Sequence, residues 1–459
     1  MRVHFIAIGG AVMHNLALAL KQKGYKVTGS DDEIFEPSRS RLYSAGLLPE
    51  KNGWDPEMIT SDIDVVILGM HARDGNPELE KARELERVPG SGLKIQSFPE
   101  FLYEQTADKK RIVIGGSHGK TTITSMVMHV LKSNGIQFDY MVGSIVEGFD
   151  TMVGLSEESE IAVFEGDEYL TSALDRRPKF HLYKPHVSLI SGIAWDHMNV
   201  FPEEEDYLEQ FRIFIEKTEV GGSLVYCAED PILQNLIKSS GRILDYIPYR
   251  EHRFENISDK TQLIFNGDKY PVNVFGRHNM QNISAARTIC ELLGINHADF
   301  YTSIASFTGA ARRMQLLQEN DETAVYLDFA HAPSKVMATT TAMKDQYPER
   351  HLVAVLELHT FSSLNAEFLP RYEASMECAD TAIVYYNPKT VAHKKLPKIS
   401  VRQIAEAFNK QGLDVYSDAD KLMQDLRGFS WTGSNLLIMT SGNFDGQDMQ
   451  SLASSIIDQ

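Results

Sequence analysis

Residues 113–124 read VIGGSHGKTTIT. A short β-branched run passes into glycines, then into Gly119-Lys120-Thr121-Thr122, then into a stretch with helical periodicity. Glycines let successive backbone N–H groups point inward at an anion, and a helix N-terminus adds partial positive charge. Strand, glycine loop and helix in that order predict a phosphate loop. Lys120 would reach the outer phosphates of a nucleotide, and Thr121 would offer its hydroxyl to Mg2+. One residue departs from the usual G-x-x-x-x-G-K-[ST] pattern: Ile114 stands where the first glycine belongs. The competing reading is an ordinary glycine turn, which the full strand–loop–helix context disfavours.

The same texture recurs along the chain. Apolar runs ending in Gly or Asp, each followed by a helix-like stretch, are VHFIAIGG (3–10), YKVTGSD (25–31), DVVILGM (64–70), RIVIGG (111–116), EIAVFEGD (160–167) and HVSLISGI (186–193). AVYLDFAHAP (324–333), HLVAVLEL (351–358), TAIVYYNP (381–388) and NLLIMTSG (435–442) continue the series. Continuous rather than alternating apolarity marks strands covered on both faces, hence parallel sheets and an α/β class. Composition breaks at VPGSGLKIQSFPEFLYEQTADKK (88–110) and around SFTGAARRMQ (306–315) divide the chain into three expected α/β domains, 1–107, 108–310 and 311–459.

With 459 residues, 43% hydrophobic and 24% charged, the chain has a globular composition. A net charge of −18 argues against a nucleic-acid or polyanionic-membrane binder, which needs a basic face. No run reaches the roughly 18 apolar residues of a membrane span. Three separated cysteines, Cys227, Cys290 and Cys378, point to a reducing, cytoplasmic setting and away from structural zinc.

Further constellations carry chemistry. In EGDEY (165–169), Glu165 and Asp167 end an apolar strand, where they would hold a hard cation or form a solvated acidic turn. His197, in AWDHMN (194–199), would ligate metal, orient substrate or serve as a structural histidine. Asn279 and Asn282, three apart in GRHNMQNISAA (276–286), share a helix face and either read an adenine edge or ribose or cap the helix. In ARRMQ (311–315) and YLDFAHAP (326–333), Arg313 could meet a γ-phosphate and Asp328 a ribose, or the basic pair could be a solvated face. AIGGAV (7–12), with Asp31 about twenty residues on, has the outline of a dinucleotide turn. Ala7 and Val12, however, replace its first and last glycines, leaving a looser Rossmann-like turn over another diphosphate.

Taken in order, these pieces resemble the Mur ligase family of ATP-dependent amide ligases. Its short G-T-x-G-K-T-T loop is similar to Gly116-Ser117-His118-Gly119-Lys120-Thr121-Thr122, which accounts for Ile114. A strand-end Glu165, Asp196-His197-Met198, His278 to Asn282, the paired arginine and Asp328 to Pro333 follow in the family's order. The resemblance implies an N-terminal Rossmann-like UDP-sugar domain, a central P-loop ATPase domain and a C-terminal Rossmann-like domain for the amine. It implies ATP bound by the loop with Asn279, Asn282, Arg313 and Asp328. Mg2+ would be held by Thr121, Glu165 and His197, and UDP-sugar contacts would come from Gly9, Gly10, Asp31 and Asn76. Lys120, Glu165, His197 and Arg313 would be catalytic.

Two branches of the family use UDP-N-acetylmuramic acid. EGDEYLTSALDRRPKFHLYKPHV (165–187) resembles the recycling branch, which adds the tripeptide L-Ala-γ-D-Glu-meso-diaminopimelate, and GNPELE (75–80, with Asn76) agrees. The branch that adds L-alanine is shorter after the acidic cluster and is the alternative. Ser117, Gly166 and Leu170 depart from the pattern. So does His359, which stands where the recycling branch commonly has arginine. Phe211 falls near the carbamylated lysine of other branches.

Overall fold

A computed structural model describes residues 1–195, 200–257 and 259–459. All ten apolar runs fold as strands, and the sheets they build are mostly parallel. The first sheet comprises β1 (Arg2–Ile6), β2 (Lys26–Ser30), β3 (Val65–Leu68) and β4 (Lys94–Ser97), in the order β2-β1-β3-β4 and parallel throughout. Ile6, Val66 and Leu68 bury one face against Leu79 and Ala82 of the helix Pro77–Glu86. The stretch 88–110, expected to mark a boundary, supplies β4 and the helix Phe98–Gln105. There Ser97 and Glu100 form a reciprocal capping box.

The second sheet contains β5 (Lys110–Gly115), β6 (Asp139–Met141), β7 (Val153–Gly154), β8 (Ile161–Glu165), β9 (Val187–Ile190), β10 (Ser223–Cys227) and β11 (Asp245–Tyr249). Its order is β11-β10-β9-β5-β8-β6-β7, with only the β6–β7 pair antiparallel. The chain leaves β5 toward one side of the sheet and later returns to the other, so connections diverge at its carboxyl end. Doubly wound sheets bind ligands at such a switch point. Ile112, Val113 and Ile114 are fully buried there.

Next come an antiparallel meander, β12 (Phe254–Ile257), β13 (Lys260–Phe265) and β14 (Asp268–Val272), and a third large sheet. That sheet comprises β15 (Gln315–Glu319), β16 (Ala324–Asp328), β17 (His351–Leu358), β18 (Thr381–Tyr386), β19 (Asp414–Tyr416) and β20 (Ser434–Met439). The order is β15-β16-β20-β17-β18-β19, with β15 antiparallel and the rest parallel. Separate apolar clusters cover its two faces, as continuous runs such as HLVAVLEL require.

The chain forms two compact units. One holds Met1–Trp195, Glu203–Tyr249 and Ala285–Gly294, and the other holds the remaining described residues. Among the described residues no helix is long and apolar enough to cross a membrane.

Candidate active site

The phosphate-loop segment sits at the tip of β5. Ile114 is buried inside the strand, and the turn starts two residues later, so no glycine is needed at 114. Gly116 has φ +125°, and a Cβ there would lie 2.8 Å from the Ser191 backbone nitrogen. Ser117 donates its N–H to Gly192 O at 2.9 Å, holding the loop against the chain beyond β9. Gly119, at φ +75°, caps the helix Lys120–Ser133. Ile123, Met126, Val127, Val130 and Leu131 repeat at helical spacing and are fully buried, anchoring that helix. Its first turn has no side-chain cap and no acidic residue, so its leading N–H groups face the loop.

Charged groups converge on this turn. Lys120 Nζ donates to Gly116 O at 2.7 Å and pairs with Glu168 Oε2 at 2.6 Å. Burial opposes the charge on Lys120, but the Glu168 and Asp167 carboxylates outweigh it and hold the ammonium above its ordinary range. Thr121 Oγ1 donates to Glu165 Oε1 at 2.9 Å, and the Gly143 N–H donates to Glu165 Oε2 at 2.6 Å. Burial raises the Glu165 carboxyl, against the pull of Lys120 and these two donors. Asp167 turns away to Lys179, whose ammonium overcomes burial and holds the carboxyl below its usual value. Backbone donors, a lysine and hard oxygen donors within one crevice suit a polyphosphate and a hard cation. His197 and the rest of its Asp-His-Met motif lie outside the described residues.

Two participants carry no assignment from the sequence. Glu168, the lysine's partner, stands in plain view in EGDEY. Tyr207, from the helix Glu204–Glu216, donates to Glu168 Oε1 at 3.2 Å and lies 2.8 Å from Ser117 Oγ. Nothing local in the sequence around Tyr207 signals that contact.

At the N-terminal turn, Ala7 adopts φ +73°, the left-handed conformation that the missing glycine would have supplied. The Gly9 N–H donates to Asp31 Oδ2 at 2.8 Å, and Gly10 precedes the helix Ala11–Gln22. His71 Nδ1 lies 3.1 Å from Asp31 Oδ1 and 2.9 Å from Asp32 Oδ1. Burial opposes protonation of His71, but the two carboxylates raise it. Asn76 caps the helix Pro77–Glu86, accepting from the N–H groups of Glu78 and Leu79. Its buried Nδ2 has no hydrogen-bond partner among the described residues.

The other predicted residues belong to the second unit. Asn279 and Asn282 share one helix face: Asn279 Nδ2 donates to Phe275 O at 2.9 Å, and Asn282 Nδ2 to Asn279 Oδ1 at 3.3 Å. Asp328, buried at the end of β16, accepts the N–H groups of Met314 at 2.6 Å and Ala330 at 2.7 Å. Both paired arginines lie over Phe329, the Arg312 guanidinium 5.4 Å and the Arg313 guanidinium 4.5 Å from the ring centroid, and Arg312 also donates to Gly442 O at 2.8 Å. Beyond β17, His359 Nδ1 lies 3.6 Å from buried Glu357, which also accepts the Phe444 N–H at 3.1 Å.

Known families account for nearly the whole chain. Residues 2–109 match the Mur ligase family catalytic domain, 114–290 the Mur ligase middle domain, and 312–444 the Mur ligase glutamate ligase domain. A UDP-N-acetylmuramate–L-alanine ligase of Streptococcus mutans is 31% identical over 409 residues, 85% of this chain and 83% of that protein. The chain belongs to the Mur ligase family. Members of the family are ATP-dependent ligases that form C–N bonds. A second relative of this Mur ligase is the UDP-N-acetylmuramate–L-alanyl-γ-D-glutamyl-meso-2,6-diaminoheptandioate ligase of Haemophilus influenzae. It is 28% identical over 457 residues, 97% of each chain. In fold, the ligase is similar to a murein peptide ligase from Psychrobacter arcticus, with a TM-score of 0.65 and 23% identity over 100% of this chain and 99% of that one. The expected three-domain, mostly parallel α/β architecture is therefore that of the family.

Proposed function

We propose that this Mur ligase joins UDP-N-acetylmuramic acid to L-Ala-γ-D-Glu-meso-diaminopimelate in cytoplasmic peptidoglycan recycling. The observation that carries the reading is the segment after the acidic cluster, 165–187. It folds back on itself through the bridge Leu170–Pro178 and the Thr171 N–H to Arg177 O bond of 2.9 Å. Leu174 packs against the apolar core of the first sheet, and Arg177 pairs with Glu100 at 3.3 Å. A long, internally braced connection here fits the tripeptide-adding branch, and the Haemophilus relative carries that activity in its name. The second reading, L-alanine as the amine, is favoured by the Streptococcus relative.

In the proposed reaction the sugar's carboxylate oxygen attacks the γ-phosphorus of ATP. The β–γ bridging P–O bond breaks and ADP leaves. The peptide amine then attacks the carbonyl carbon of the acyl phosphate, loses a proton, and expels inorganic phosphate. Residues 116–122 wrap the phosphates, and Lys120 neutralises charge on the phosphoryl group in transit. Thr121 and Glu165 supply oxygen donors for Mg2+, with His197 proposed for a second ion. The metal would add positive charge where the phosphoryl oxygens gather. Asn279, Asn282, Asp328 and Arg313 are the proposed nucleotide contacts of the later residues. Gly9, Gly10, Asp31 and Asn76, with its free amide donor, are the proposed contacts of the acceptor. On this reading the functional domains are 1–107 for acceptor, 108–310 for ATP and 311–459 for the amine. Mass spectrometry of product formed from the muramyl nucleotide, ATP, Mg2+ and a mixture of tripeptide and amino acids tests it. Only the L-alanine adduct would overturn the tripeptide assignment, and no adduct would overturn both.

A further inference from the structure

The phosphate-loop lysine does not stand alone. Ser117 Oγ accepts the Ala194 N–H at 2.8 Å, so its own proton is available for Tyr207, 2.8 Å away. The single phenolic proton of Tyr207 goes to Glu168 Oε1 at 3.2 Å, and Glu168 Oε2 receives Lys120 at 2.6 Å. Hydrogen bonds thus run in one direction from the backbone at 194, through Ser117 and Tyr207, to a carboxylate that meets the ammonium. Ser117, Glu168 and Tyr207 are all buried. The Tyr207 ring is fixed by an edge contact with Phe211, centroids 5.3 Å apart.

We infer that Tyr207 is a positioning residue for nucleotide binding, acting through Glu168 on Lys120; the inference rests on reading the loop as the ATP phosphate site. A carboxylate has two oxygens, and the phenol occupies one. Glu168 therefore presents the other to Lys120 from a fixed direction, leaving the ammonium's remaining donors toward the loop. Without the phenol, Oε1 loses a donor while still buried, and the carboxylate is freer to turn toward the lysine. An incoming phosphate then competes with a tighter internal anion. The same chain fixes Ser117, so the loop and its lysine are set together.

The test is ADP affinity by calorimetry, with steady-state kinetics, for Tyr207→Phe, which keeps the ring and removes the hydroxyl. ADP binding and the KM for ATP should weaken roughly tenfold, the size of one lost hydrogen bond to a charged group. The KM for the muramyl nucleotide should stay within twofold, which general loosening of the fold would not produce. In a Glu168→Ala background, Tyr207→Phe should have no further effect. If Tyr207→Phe does not fold, Ser117→Ala takes its place, and its effect should likewise shrink in the Glu168→Ala background. Unchanged ADP affinity in Tyr207→Phe, or the same tenfold loss with Glu168 absent, overturns the role of Tyr207 alone. A wild-type protein that binds no ADP overturns the phosphate-loop reading as well.

Discussion

Lys120→Ala should do more than stop ATP turnover. It leaves Glu168 as a carboxylate whose side chain is 1% exposed, opposite the space of an ammonium that was itself 14% exposed. At 2.6 Å and an effective dielectric near 20, the attraction is about 6 kcal/mol before the cost of removing both ions from water is subtracted. Breaking one side of a buried pair typically costs about 3–5 kcal/mol, because the surviving charge keeps its desolvation penalty and loses its partner. The Tyr207 hydrogen bond to Glu168 puts the expected loss toward the lower end. Equilibrium urea unfolding, followed by far-ultraviolet circular dichroism, should show a lowered midpoint for Lys120→Ala. The double variant Lys120→Ala/Glu168→Ala should recover most of it, while ADP release from ATP stays abolished in both. A single variant as stable as wild type, or a double variant no better than the single, would refute the buried pair.

Three other outcomes are expected. Gly143→Ala places a Cβ 2.9 Å from Glu165 Oε2 on an otherwise ordinary backbone. It should push the carboxylate from Thr121 and raise the Mg2+ concentration for half-maximal ATP turnover by at least about tenfold; an unchanged Mg2+ curve would count against Glu165 as a metal ligand. Asp328→Ala orphans the N–H groups of Met314 and Ala330 and should cost about 2–4 kcal/mol of stability in urea unfolding, in addition to any loss of nucleotide affinity. His71 has a folded pKa raised above 6.5, so its pairing with Asp31 and Asp32 stabilises fully below that value and fades as pH rises through the folded pKa. The stability gap between wild type and His71→Gln should accordingly be widest near pH 6 and narrow at higher pH; a gap that widens with pH would contradict the pairing.

The legible parts of this protein are those whose cause is local. VIGGSHGKTTIT displays its strand, its turn and its helix because β-branched residues, glycines and helical spacing act over a few positions. Between β13 and β14, Asn266 and Gly267 take φ +52° and +93°, as an Asn-Gly turn does. Ala7 shows where local logic misleads: alanine disfavours positive φ, yet the contacts of the Gly9 N–H with Asp31 and of the Ala7 N–H with Ser30 O hold the turn in place.

Sequence alone therefore determined the α/β class, the strand, glycine turn and helix around residues 113–124 and the position of Glu165 at a strand end, because each is written in contiguous residues with fixed periodicity. Tertiary structure decided who faces whom. Parallel pairing of β5 with β8 brings Glu165 beside Thr121, and the helix Glu204–Glu216 brings Tyr207 to Glu168 across 39 residues of chain. Such partnerships depend on where crossovers return the chain, and no pattern within either segment specifies them.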